Sequence, residues 1–288
     1  VKREQPHGSL LDRLLRGTRW DWRSPAHEAD LPADLAARVM HLETSDRFHA
    51  KQGRSTARVR FDSGTGIPLT AYLKRHVRLP LADRLLALVH PSGHHSPGGA
   101  EWRHLELARS IGLRVPVPLA VGEQIGPWGG LTGYLLVAEL SGKNELHLVV
   151  PDWQSGLPRE LFERAKREVT RELARLVGRM HKCRLYHKDL YLCHIFVNPE
   201  LSERVDERLW IIDLHRLARV PFFAGYARWK DLGQLLYSTY GVKGIENRDR
   251  LRFWMHYRRA VRLRAPRLER WLIRFRAWRY LSKSQGRS

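Results

Sequence analysis

The sequence predicts an α+β protein in two lobes, a small β-rich first lobe containing one key helix and a larger, mainly helical second lobe. Three observations carry this expectation. Strand-type alternation is concentrated between residues 57 and 138, an apolar period of helical spacing runs over 159–182, and no apolar run approaches the ~18 residues of a membrane span. The implied boundaries are an N-terminal extension over residues 1–40, a first lobe over 41–140 and a second over 141–288.

Residues 1–40 mix charges with helical stretches and show no recognisable chemistry. Ala57, Val59 and Phe61 then alternate with Arg58 and Arg60 as a strand does. DSGTG at 62–66 supplies turn glycines, and LTAYLKRH returns as a second strand with Lys74 near its end. A helix is expected over Leu81–Val89, followed by the breaker-rich loop HPSGHHSPGG, whose His90, His94 and His95 read as solvated. Ser96 and Pro97 start the helix AEWRHLELARSIG and Gly112 stops it, with Glu101, Leu105 and Ala108 on one side. Strands near VPLAVGE and at GYLLVAE follow, and a break at SGKNE closes the first lobe.

The second lobe opens with the helix RELFERAKREVTRELARLVGRMHK, in which Phe162, Ala165, Val169, Leu173, Leu176 and Met180 recur at helical spacing. It delivers the chain to the loop YHKDLYLCHIFV. RLWIIDLHR then places Asp213 at the end of a buried strand, and RWKDLGQLLYSTY starts a helix near Asp231. No internal repeat is visible.

With 288 residues and 43% hydrophobic content the chain can bury a sizeable core, which argues against disorder. Its two cysteines, Cys183 and Cys193, are too few for a secreted disulfide framework and suit a reducing cytosol. His181, Cys183, His187, Cys193 and His194 cluster locally, but their spacing does not match a zinc finger or knuckle. The N-terminus lacks the apolar segment of a signal peptide.

A formal net charge of +21 calls for an anionic partner: nucleic acid, an anionic membrane surface or a phosphorylated substrate. The charge is concentrated at the C-terminal end, where Gly241 to Ser288 carry 15 Lys/Arg against 3 Asp/Glu. There, RLERWLIRFRAWRYL forms a basic amphipathic helix with Leu268, Trp271, Leu272, Phe275 and Trp278 at helical spacing among Arg267, Arg270, Arg274 and Arg276. It reads either as a helix lying on an anionic membrane face or as one packed on the second lobe with its arginines reaching water.

A strand ending near Lys74, a helix bearing Glu101, a strand ending at Glu139, a loop with Asp189 and a strand ending in Asp213 occur in the order of a protein-kinase-like phosphotransferase. Each has a physical task around ATP and Mg²⁺. Lys74 supplies a cation for the phosphates and Glu101 holds its ammonium. Asp189, introduced by His187 and Lys188, accepts or orients the proton of the attacking hydroxyl. Asp213 offers Mg²⁺ hard oxygen ligands. KQGRST, with Gly53, Arg54, Ser55 and Thr56, is either a phosphate-contacting loop or a plain strand-entry turn. The short interval from Asp213 to Asp231 leaves little room for a peptide-docking segment. Tyr191 stands where protein kinases usually have lysine, and both departures argue against a protein substrate.

YLKRH, AEWRHLELARSIGL, YHKDLYLCHIFV, IIDLHRL and WKDLGQLLYS together resemble the lipopolysaccharide core kinases of the Kdo/WaaP type, over about residues 45–260. The resemblance implies a bilobal protein-kinase-like fold and γ-phosphoryl transfer from ATP to a sugar hydroxyl, heptose or Kdo, of the lipopolysaccharide inner core. It also implies that His194, where protein kinases carry asparagine, helps Asp213 hold the metal or hydrogen-bonds through water or to Asp189. Asp231 would brace the catalytic loop, with Lys188 also supporting, and Glu139 and Leu140 would form the adenine hinge. Tyr72 would either cover the base or sit in the core. Lys188 and Leu190 depart from the family's more usual Arg and Cys.

The implied partners are a lipid A–core glycolipid acceptor and the anionic cytoplasmic face of an inner membrane, with no nucleic acid and no obligate protein partner expected. The rival readings are a protein kinase or small-molecule phosphotransferase of the same fold and, from a different class, a basic nucleic-acid-binding protein.

Overall fold

The computed structural model describes residues 11, 15, 18–42, 47–51, 54–62, 68–77, 96–125, 131–201, 208–222 and 224–285. Most of the turn at 62–66, the helix expected over Leu81–Val89, His90, His94, His95 and Gly53 lie outside the described residues. The chain divides into two compact units, residues 1–106 with 116–140 and residues 107–115 with 141–288.

The first unit is built on a six-stranded antiparallel sheet in the order β1-β5-β6-β4-β3-β2. Its strands are β1 (Thr18–Arg23), β2 (Arg47–Lys51), β3 (Arg54–Phe61), β4 (Leu69–His76), β5 (Pro118–Ile125) and β6 (Leu131–Ala138). Ala57 opposes Leu73 and Val59 opposes Ala71, so the period-2 pattern puts these side chains on one face. Leu31 and helix α1 (Leu35–His41) cover that face, with Leu35 and Val39 packed among Val59, Phe61, Leu73, Leu119 and Leu136. Residues 18–42 are therefore part of the first unit: they contribute an edge strand and the cover of the core. Buried Arg75 locks the cover in place, donating to the carbonyls of Val39 (3.2 Å) and Leu42 (2.7 Å) at the end of α1.

Helix α2 (Pro97–Ser110) starts as its sequence dictates, with Ser96 Oγ accepting the Gly99 N–H at 3.0 Å. After it Gly112 takes φ +74°, a left-handed turn that favours glycine. Trp102 packs against Trp20 and Trp22 of β1, with ring centroids 5.4 and 5.3 Å apart. The edge strand thereby fixes the helix that carries Glu101.

The second unit opens with α3 (Leu146–Gly156), a helix that the apolar run LHLVV conceals because Pro151 interrupts it. α4 (Arg159–Lys182) follows over the range its period predicts, and Phe162, Ala165, Val169, Leu173, Leu176 and Met180 are all buried. Each of these side chains larger than alanine contributes about 1.5–3 kcal/mol relative to exposure. Two charged residues of α4 are buried as well, and both act as struts. Lys166 Nζ donates to Gly244 O (3.0 Å) and meets Asp249 and Glu163 at 3.2 Å, and Glu172 Oε1 accepts the Leu209 N–H at 3.1 Å.

α4 packs along α6 (Asn247–Val261), and α5 (Ala224–Ser238) packs along α7 (Pro266–Gln285). Gly233 permits that second contact, since a Cβ there would lie 2.7 Å from the Arg276 Cβ. Leu173, Leu192, Leu235 and Ile273 line an apolar cavity of about 480 Å³ among these helices. Short ladders join β7 (Asn144–Glu145), β9 (Ile195–Val197) and β10 (Leu209–Ile211), and β8 (Leu185–Tyr186) pairs with β11 (Ala218–Arg219). They frame the loop 187–194.

Candidate active site

In the first unit, Lys74 on β4 and Glu101 on α2 form the expected pair, with Nζ to Oε1 at 2.6 Å. The glutamate is buried and the lysine partly exposed, so the carboxylate fixes the position of a cation that reaches the surface. Thr56 is the cross-strand neighbour of Lys74. Ser55 accepts a hydrogen bond from Arg75 Nε at 3.2 Å, which ties its hydroxyl oxygen to the sheet scaffold. Arg54 begins β3 opposite Lys51.

Glu139 is tied into the sheet. Its N–H donates to Thr70 O at 3.0 Å, extending the β4–β6 ladder, and its carboxylate takes both Arg58 nitrogens at 2.7 and 2.9 Å. The Arg58 guanidinium, together with a Tyr72 hydrogen bond, holds that carboxyl below the usual range. Tyr72 is pushed up, by burial first and by Glu139 second. The N–H and the side chain of Glu139 are both engaged.

In the second unit, the catalytic-type loop hangs from one face of α5. Asp231 lies in the interior of this helix, which begins at Ala224, not near its start as the sequence suggested. Fully buried, it accepts the N–H groups of His187 (2.7 Å) and Lys188 (2.8 Å) and faces His181 Nε2 at 3.3 Å. Gln234 accepts the Leu190 N–H and donates to Lys188 O, both at 3.2 Å, and Ser238 Oγ accepts the Leu192 N–H at 2.9 Å. Positions 231, 234 and 238 share a helix face, so one helical stripe satisfies the loop backbone. Lys188 is left-handed, φ +65°, a conformation costing about 1–2 kcal/mol for an L-residue, and the Asp231 bond holds it there.

Asp189 presents a largely shielded carboxylate that takes Arg216 Nη1 at 2.9 and 3.1 Å and Gln234 Nε2 at 3.3 Å. Arg216 and Gln234 were not singled out from the sequence. Arg216 lies three residues beyond Asp213 in IIDLHR, and that proximity was the available signal. His187, expected among the catalytic groups, is instead fully buried: its Nε2 meets Ile212 O at 3.0 Å and burial pushes its pKa down. A neutral imidazole donating to that carbonyl joins the loop to the segment after β10, a positioning role.

Asp213 lies two residues beyond β10 with φ +59°. Its Oδ1 meets His215 Nδ1 at 2.6 Å and its Oδ2 lies 3.6 Å from His194 Nε2. His194 Nδ1 bonds to Asp189 O at 2.8 Å, which fixes the ring. Burial opposes the charge on His194, but Cys193, the Asp189 carbonyl and Asp213 favour it and raise the pKa to about 9. Among the described residues no three His, Cys, Asp or Glu side chains converge into a metal cage. A hard carboxylate at Asp213 nonetheless fits Mg²⁺, which is commonly held by one or two carboxylates and completed by phosphate and water.

Residues 94–257 match the model of the lipopolysaccharide kinase (Kdo/WaaP) family. The chain is 30% identical to the lipopolysaccharide core heptose(I) kinase WaaP of Pseudomonas aeruginosa over 164 residues, 56% of this chain and 60% of that protein. It is 29% identical to the Escherichia coli protein of the same name over 163 residues, 54% of this chain and 58% of that one. The chain thus spans about 60% of the length of the curated relatives it matches. A solved structure of WaaP in complex with acyl carrier protein superposes with a TM-score of 0.65 at 25% identity, covering 90% of this chain and 98% of that one. The α+β fold expected from the sequence is the fold of that neighbour. Glu101, Asp189, His194, Asp213 and Asp231 all fall inside the matched segment, which covers more than half of the chain. The chain belongs to the lipopolysaccharide kinase (Kdo/WaaP) family.

Proposed function

We propose that the protein transfers the γ-phosphoryl group of ATP to a sugar hydroxyl, heptose or Kdo, of the lipopolysaccharide inner core. The observation that carries this reading is Asp189, a shielded carboxylate on a loop whose backbone is bound by three side chains of α5. Such a group is built to take a proton from an incoming hydroxyl. As the acceptor oxygen bonds to the γ-phosphorus and the bond to the β-phosphate oxygen breaks, the hydroxyl proton passes to the Asp189 carboxylate and ADP leaves.

Lys74, held by Glu101, neutralises phosphate charge. Asp213 holds Mg²⁺, steadied by His215 and His194. Bound there, the ion would supply charge neutralisation for the phosphates. Arg216 keeps Asp189 oriented and, released from it, can meet the negative charge of the transferring group. Because the proposed acceptor is a membrane glycolipid, the enzyme works at the cytoplasmic face of the inner membrane. The solved neighbour holds acyl carrier protein, and the apolar cavity lined by Leu173 and Ile273 favours a carrier-borne acyl chain as a partner here. That reading adds a protein partner where the sequence suggested no obligate one.

The test is label transfer from γ-labelled ATP with Mg²⁺ to dephosphorylated, heptose-containing lipopolysaccharide, beside protein, small-sugar and nucleic-acid controls. Labelling of the glycolipid, lost by about 10²–10⁴-fold in Asp189→Asn, is the expected result. Labelling of a protein or a small sugar in its place overturns the acceptor assignment.

A further inference from the structure

Helix α7 is apolar on two opposed faces. One face carries Ile273 and Ala277, both buried, and packs on α5 at Gly233. On the other face Leu268, Trp271, Phe275 and Trp278, spaced three, four and three apart, are 58%, 61%, 44% and 59% exposed. Trp271, Phe275 and Trp278 stack in series with centroids 5.8 and 5.9 Å apart. A helix that needs one partner carries one apolar stripe. The second stripe therefore asks for a second partner.

The charges around it select that partner. At 100° per residue, Arg267, Arg270 and Arg274 fall along one border of the stripe and Arg279 and Lys283 along the other, and all five are exposed. The single acid of the helix, Glu269, is buried on the α5 side and bound by Arg228 and Trp229. The outer surface is thus aromatic in the middle and cationic on both edges. Tryptophan rings favour the headgroup level of a bilayer, and arginines there meet lipid phosphates.

We infer that the outer face of α7 docks on an anionic lipid surface, with Leu268, Trp271, Phe275 and Trp278 inserted at the headgroup level and the bordering arginines on phosphates. The inference rests on the proposed glycolipid acceptor only for its purpose, which is to hold the enzyme in the plane where its acceptor lies. The docking itself needs no ATP.

The test is co-sedimentation of the full chain with phosphatidylcholine vesicles alone or with about 30% phosphatidylglycerol, in low and high salt. Binding to the anionic vesicles, weakened by salt and absent from neutral ones, is expected. Trp271→Ser with Trp278→Ser should weaken it about tenfold or more, and each of Arg267→Gln and Arg279→Gln by about fivefold. These substitutions alter exposed side chains, so thermal melts should match the wild type. Phosphorylation of a deacylated, soluble core oligosaccharide should also be unchanged. Equal binding to neutral vesicles, or full binding by the tryptophan double variant, overturns the inference. So does a dimer in solution that Trp271→Ser dissociates, because a second copy then covers the stripe. Failure of the soluble acceptor to be labelled strikes the kinase reading and leaves the vesicle result standing.

Discussion

The two units hold their candidate groups by different means. In the first, Lys74 is oriented by an ion pair to Glu101, and a rigid sheet and a helix set the distance between them. In the second, Asp189 sits on a loop with little regular structure of its own, and Asp231, Gln234 and Ser238 of α5 carry its backbone. A point on a regular element needs only its neighbours in the ladder. A loop point needs dedicated polar partners, because its N–H and C=O groups have no ladder to satisfy them. Loss of a contact should therefore cost activity first in the sheet unit and stability first in the loop unit.

The largest effect should come from Asp231→Ala. It strips two buried N–H donors of their acceptor and releases the left-handed Lys188, so urea unfolding should show a loss of about 3–5 kcal/mol, with activity abolished. Lys74→Met should break the comparison's other side: a loss of about 10²–10³-fold in ATP-dependent turnover, with a thermal midpoint lowered less than in the Asp231 variant because the lysine is partly exposed. A melt as severely lowered as that of the Asp231 variant would show that the ion pair supports the unit as well as the ligand.

Arg216→Ala is expected to reduce turnover by about tenfold with ATP affinity retained, since the guanidinium touches Asp189 and is itself half-exposed. Steady-state kinetics separates the two parameters. The smallest effect belongs to Ser238→Ala, about 1 kcal/mol by chemical denaturation and only a few-fold in rate, because Asp231 and Gln234 still hold the loop.

Much of this site was legible before any coordinates. Strand period placed Lys74, capping residues placed the Glu101 helix, and the apolar period of α4 marked both ends of that helix, because each is a local signal. β1 was less visible: Trp20 and Trp22 alternate, but one edge strand of six residues does not announce its partner, and only its pairing with β5 and contact with Trp102 give it meaning. His187 illustrates the opposite error. Its place in the loop suggested chemistry, and burial against Ile212 makes it a brace.

Local sequence decided which residues become strand, helix or turn and which carry reactive groups, since propensity, capping and periodicity act within a few positions. Tertiary structure alone decided which of those groups meet. Arg216 reaches Asp189 across 27 residues, and Gln234 reaches the same carboxylate across 45. Such contacts depend on side-chain packing and on the need to pair every buried polar atom, and neither leaves a period in the chain.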